Sequence, residues 1–153
     1  MNYNELRNKQ QKEVDNFPFG FAFSTKQFNE MMASWGLNPE TDLDKIYSIG
    51  GGGYIQKKDS DAMDEMFARH EEERAELMED LKELEEAIFY EMKNHEYFYN
   101  YQKNYDVLNC FGSVEYNDYD DPDIYFDQLG WSEDKRQAFR NARNRMYDLE
   151  DEI

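Results

Sequence analysis

Cysteine is nearly absent from this sequence, and Cys110 is the only one. That excludes an internal disulfide and the thiolate cluster of a structural zinc module, and it suits a reducing compartment. Histidine is almost as scarce: His70 and His95 are the only two. No His-Glu-x-x-His pair and no Ser-His-Asp or Cys-His nucleophile pattern is present. No apolar run approaches the ~18 residues of a membrane span, and residues 1–14 lack the apolar centre of a signal peptide. The expectation is a cytoplasmic protein with no membrane partner.

Basic charge is the other shortage. Seventeen Lys and Arg face 35 Asp and Glu, a net charge of −18. From Asn104 to Asp134 there is no Lys or Arg at all. A protein that binds free nucleic acid must neutralise phosphates, so direct binding to nucleic acid is not expected. A basic groove on another protein is the complementary partner. Glycine numbers only eight, four of them in the run Gly50 to Gly53. A phosphate-cradling loop leads from a strand into a helix and ends in Gly-Lys-Ser/Thr. This run leads from one predicted strand into another and lacks the lysine, so it reads as a hairpin turn.

What the chain has in quantity is aromatic and acidic side chains. Aromatics at 16% supply enough buried area for a core, and 153 residues fit one domain. Four parts are distinguishable: a small α+β part over 17–58, a long helix over 59–96, an aromatic and acidic segment over 97–131, and a C-terminal helix over 132–153. A short amphipathic helix over 3–15 precedes them.

In the α+β part, Phe19-Gly20-Phe21-Ala22-Phe23 alternates with period two and predicts a strand. Its Phe face is expected in the core, and its Gly/Ala face open to close approach by another element. Ser24 and Gln27 form a capping box for a helix from Thr25 to Trp35, stopped by Gly36. Residues 46–49 and 54–56 complete an antiparallel sheet with 18–23.

The long helix carries a seam of Met63, Phe67, His70, Arg74, Leu77, Leu81, Leu84 and Ile88 at steps of four and three. Between Glu71 and Glu96 eleven acids face three bases. Glu72 with Glu76, Glu76 with Asp80 and Glu79 with Glu83 are like-charge pairs at i,i+4, costing a few tenths of a kcal/mol each. A helix kept acidic for solubility alone alternates its signs more often. Ser132 caps the last helix, with Trp131 as its staple. Phe139, Ala142, Met146, Leu149 and Ile153 form its seam, and Lys135, Arg136, Arg140, Arg143 and Arg145 make it basic. It is expected to lie antiparallel on the acidic helix.

The candidate partner-binding residues are Glu72, Glu76, Glu79, Asp80, Glu83 and Glu86 on the long helix, with Glu115, Tyr116, Asp118, Tyr119, Asp120 and Asp121 in the acidic segment. Nothing selects a catalytic pair from so many carboxylates, and Asp118 to Asp123 lacks the Gly and Glu of a calcium loop. No enzyme activity, cofactor or metal is expected.

Phe21-Ala22-Phe23-Ser24-x-x-Gln27-Phe28, the Gly50–Tyr54 turn and Tyr90-Glu91-Met92-x-Asn94-His95-Glu96-Tyr97, taken in order, resemble a family of small uncharacterised proteins of bacteriophages and related mobile elements. The resemblance spans residues 17–112. It implies a host-cell setting and carries no settled activity. Asn94 to Tyr97 reads as a helix end, with Tyr97 packed on the Phe face, or as a partner contact at the helix tip.

Together these readings predict an α+β protein, a small antiparallel sheet packed on helices with one long acidic helix paired to the C-terminal helix. The functional expectation is a phage-encoded, non-enzymatic inhibitor of the anti-CRISPR kind, whose carboxylates occupy the basic groove of a host nucleic-acid-handling protein such as a CRISPR nuclease. The alternative is a structural module that forms a homodimer through the seam from Leu77 to Ile88.

Overall fold

A computed structural model describes every residue except Asn100 and Ile153, so the expected seam position at Ile153 lies outside the described residues. Seven α-helices and three strands are formed among those residues: α1 (Tyr3–Asp15), β1 (Gly20–Phe21), α2 (Thr25–Ser34), β2 (Ile46–Gly50), β3 (Gly53–Gln56), α3 (Ser60–Leu77), α4 (Leu81–Asn94), α5 (Asn104–Leu108), α6 (Pro122–Leu129) and α7 (Glu133–Asp151). This is the expected α+β class. No helix among the described residues is long and apolar enough to cross a membrane. The chain forms two compact units, residues 8–73 and residues 1–7 with 74–153.

In the unit of residues 8–73, the sheet is antiparallel with order β1-β3-β2. Gly20 pairs with Tyr54, and Tyr47 with Ile55. Gly50, Gly51 and Gly52 all have positive φ, a conformation that glycine adopts without steric cost. They form the expected hairpin turn. The capping box of α2 is also formed: Ser24 Oγ accepts from the Gln27 N–H at 3.2 Å, while Gln27 Oε1 accepts from the N–H of Phe23, one residue before the cap, at 2.7 Å.

The expected orientation of the first strand is reversed. Phe21 and Phe23 are 61% and 76% exposed, whereas Ala22 joins Met31, Met32 and Ile46 in the local core. A Cβ at Gly20 would stand 2.5 Å from Met31 Sδ and 2.7 Å from the Trp35 ring. Helix α2 approaches on the side where the strand is bare, while on the other side Ile55 is fully buried and Phe19 is half-buried against Phe67. Close approach was foreseen; that α2 packs its core on this face while Phe21 and Phe23 turn outward was not.

The expected unbroken helix over 59–96 is two helices. Asp80 leaves helical geometry at ψ 112° and accepts from the N–H groups of Lys82 and Glu83 at 3.0 and 3.2 Å, which makes it the N-cap of α4. An aspartate side chain competes with the backbone for these donors and so favours a helix start over a helix interior.

In the unit of residues 1–7 and 74–153, Leu84, Ala87, Ile88 and Met92 of α4 meet Ala138, Phe139 and Ala142 of α7 around Tyr97, Tyr125, Phe126 and Trp131. The α4–α7 pairing is as expected but its sense is not. Lys135 reaches Glu79 at 3.0 Å, and Arg145 reaches Glu85 and Glu86 at 3.1 and 2.8 Å, so the pairs ascend both helices together. The connection through α5 and α6 carries the chain back to the start of α4, which a short hairpin loop would not do. Ser132 caps α7 through the Lys135 N–H at 3.3 Å, and Trp131 stacks on Phe126.

Candidate functional site

The long-range polar contacts that gather chemistry converge on Glu91, in the last turn of α4. It is 3% exposed. Its Oε1 accepts from the Tyr3 hydroxyl at 2.8 Å and lies 3.4 Å from Arg7 Nη1. Its Oε2 faces three other groups, each at 3.4 Å: Asn94 Nδ2, His95 Nε2 and Cys110 Sγ. Cys110 Sγ and His95 Nε2 are 3.5 Å apart, and the thiol also lies 3.3 Å from the Asp106 carbonyl. His95 is the C-cap of α4, one turn beyond Glu91. Glu96 then takes a left-handed φ of 51° that turns the chain. Cys110 is delivered by the short turn Asn109–Phe111 that follows α5.

Burial first, and then the Glu91 charge beside it, push the Cys110 thiol up to about 12. It is therefore a neutral thiol at neutral pH and not an activated nucleophile. The Tyr3 phenol is raised by the same causes in the same order.

A second cluster lies in the other unit. Glu13 accepts from Arg69, and its Oε2 is 2.8 Å from His70 Nε2. Glu73 is 2.6 Å from Lys9 Nζ and 2.8 Å from Arg69 Nη1. Hydrogen bonds from Arg69 and His70 lower Glu13 to about 2. This is a closed ion-pair network in which each carboxylate already has cations.

The predicted partner-binding residues divide. Glu79 and Glu86 are paired to Lys135 and Arg145. Asp80 caps α4, and Asp121 caps α6 through the Asp123 N–H at 2.9 Å. Asp120 accepts from the N–H groups of Asn104 and Tyr105 at 2.8 Å and from the Tyr125 hydroxyl at 3.0 Å. Glu83 is half-buried, with Oε2 lacking a partner. Glu72, Glu76, Glu115, Tyr116, Asp118 and Tyr119 are exposed. The seam proposed for self-association is mostly spent: Leu84 and Ile88 are fully buried in the core of their own unit. Tyr97 packs within its own unit, on Phe98 and Phe139, and donates to Asn104.

Sequence reasoning missed the Glu91 cluster. The i,i+4 spacing of Glu91 and His95 was a visible signal, since it puts both on one helix face. Tyr3 and Cys110 had none, because the turn at Glu96 and the packing of α1 bring them in.

Fold and site define an α+β protein in which Tyr3, Arg7, His95 and Cys110 collect around one buried carboxylate. The chain belongs to a family of unknown function, DUF7659, whose model matches residues 2–142. No curated protein and no solved structure matches it.

Proposed function

We propose that the protein is a non-enzymatic inhibitor that seats an acidic, tyrosine-bearing loop in the basic groove of a host nucleic-acid-handling protein, with a phage-encoded block of a CRISPR nuclease as the first case to test. The observation that carries this reading is the loop over 113–121. Tyr119 is 93% exposed and Tyr116 is exposed beside Glu115 and Asp118. Neither of those two acids has an ion-pair partner among the described residues.

The loop is nevertheless fixed from within. Asp120 ties it to the start of α5, and Asn117 Oδ1 accepts from the Asp121 N–H at 3.0 Å. A pre-ordered loop loses little freedom on binding, and exposed tyrosines are frequent at the energetic centre of interfaces. Because residues 104–134 contain no Lys or Arg, the cations have to come from the partner. Glu79 and Glu86 drop out of the binding surface, since Lys135 and Arg145 neutralise them. The reading is thus a loop contact and not imitation of a duplex, which carries a charge every ~1.7 Å.

The test is displacement of a labelled duplex from a purified CRISPR nuclease by the full chain. Displacement at low salt that fades as salt rises is expected, because exposed charge is screened over ~8–10 Å. It should be lost in the variant Glu115→Lys, Asp118→Lys, Tyr119→Ala with unchanged circular dichroism. Failure to displace at low salt, or equal potency of the variant, removes the proposal.

A further inference from the structure

We propose that Glu91 Oε2, His95 Nε2 and Cys110 Sγ bind one zinc-class divalent cation in tetrahedral geometry, with water in the fourth position. The three ligand atoms form a nearly equilateral triangle with edges of 3.4, 3.4 and 3.5 Å. Zinc bonds at ~2.3 Å to sulfur, ~2.0–2.1 Å to imidazole nitrogen and ~2.0–2.2 Å to carboxylate oxygen, which at tetrahedral angles separates the ligand atoms by roughly 3.3–3.6 Å. The centre of such a triangle is about 2.0 Å from each corner, so an ion just off its plane meets all three bond lengths.

The His95–Glu91 edge, at 3.4 Å, is longer than the ~2.9–3.0 Å at which nitrogen donors centre, whereas the two sulfur edges are of ordinary thiol hydrogen-bond length. The thiol brings one proton and faces Glu91 Oε2, His95 Nε2 and the Asp106 carbonyl. Three zinc-type ligand atoms gathered about one point, one on a buried side chain and two on half-buried ones, suit a cation.

The surroundings agree. Tyr3 and Arg7 hold the other carboxylate oxygen, and outer partners of this kind orient metal ligands. The ion would sit at the C-terminal end of α4, the negative pole of the helix. With two negative ligands the divalent charge is balanced, the thiol proton passing to solvent as the metal binds. Sulfur and imidazole donors select zinc or a neighbouring transition metal over magnesium and calcium. Three protein ligands leave a position open, and His95, 34% exposed at its side chain, puts that position within reach of solvent. The cluster of Glu13, His70 and Glu73 has no such claim: Lys9 and Arg69 already occupy its carboxylates, and its contacts are of hydrogen-bond length.

The experiment titrates the full chain, stripped with a chelator, with cobalt(II) and then zinc. One equivalent of cobalt should give four-coordinate visible bands and a thiolate-to-cobalt charge-transfer band. Zinc should displace it one for one, and imidazole should shift the bands through the open position. Glu91→Gln, His95→Ala and Cys110→Ser should each weaken zinc binding by more than the ~10–100-fold expected of the outer-partner variant Tyr3→Phe. Glu73→Gln should leave it unchanged. A readout that needs no variant is the rate at which iodoacetamide alkylates Cys110 in the unaltered protein, which zinc should suppress. Absence of the charge-transfer band, or unchanged alkylation with zinc, assigns the triangle to contacts among its own three side chains and overturns the site. Bands indifferent to imidazole overturn the open fourth position.

Discussion

The Tyr3 hydroxyl donates a 2.8 Å hydrogen bond to Glu91 Oε1 across 88 positions of sequence. It ties the first turn of α1 to the last turn of α4 around a buried carboxylate. Hydrogen bonds to charged groups contribute about 1.5–3 kcal/mol, and the phenol ring keeps its packing against Tyr90 and Phe111 in a phenylalanine. Tyr3→Phe is therefore expected to lower the unfolding free energy by about 1.5–3 kcal/mol, read from urea denaturation. A loss below about 0.5 kcal/mol would mean that solvent replaces the hydroxyl and that the carboxylate is not held as described.

The break at Asp80 makes a prediction of opposite sign to that of an unbroken helix. Within a continuous helix, Asp80→Ala would remove a like-charge neighbour of Glu76 and install the best helix former, so it would stabilise. As the N-cap of α4, Asp80 accepts from two backbone N–H groups, and its loss should cost about 0.5–2 kcal/mol. Asp80→Asn, which caps equally well, should leave the denaturation midpoint nearly unchanged. Thermal or urea unfolding of the two variants distinguishes the cases.

That break also shows where the sequence was legible. Local chemistry read correctly: the capping box at Ser24, the cap at Ser132 and the turn at Gly50 to Gly53 are set by residues within a few positions of one another. Pattern reading failed where two local rules compete. Heptad spacing runs through residues 77–81, and so does an aspartate that caps, and the cap prevails. It failed again where a partner far along the chain decides, as for Tyr3 and Cys110 around Glu91. The acid-rich loop was identified by composition, but composition does not say which carboxylates face inward. Asp120 and Asp121 hold backbone amides, while Glu115 and Asp118 stand outside.

Glu13 gives a pH dependence. Hydrogen bonds from Arg69, then His70, lower its carboxyl to about 2 from its ordinary value of 4.5. The unfolded chain thus binds this proton at higher pH than the folded one, and stability rises with pH between the two values. The contribution is fully present above about pH 4.5 and is lost as pH falls toward about 2. Glu13 is a quarter exposed, so solvent screening keeps the effect modest. Hydrogen exchange at residues 9–16 and 66–73 should quicken over that interval in the unaltered protein. In Glu13→Gln it should be faster already at neutral pH and respond less to acid. Identical acid responses would remove the network from the account.

The reversed strand is tested by pairing two substitutions on neighbouring residues. If the Phe face were the core, Phe21→Ser would cost about 3–5 kcal/mol, the usual loss for an emptied aromatic site, while Gly20→Ala on the outer face would be harmless or helpful. The structure demands the reverse. Phe21 is largely solvated, so its loss should stay under about 1 kcal/mol, the span of strand propensity. A methyl at Gly20 meets Met31 and Trp35 well inside contact distance, and overpacking of that kind costs about 1–3 kcal/mol. The same methyl should perturb the fluorescence of Trp35, whereas Phe21→Ser should leave it unchanged. A larger loss for Phe21→Ser than for Gly20→Ala would return the rings to the core and undo the packing of α2 on the bare face of β1.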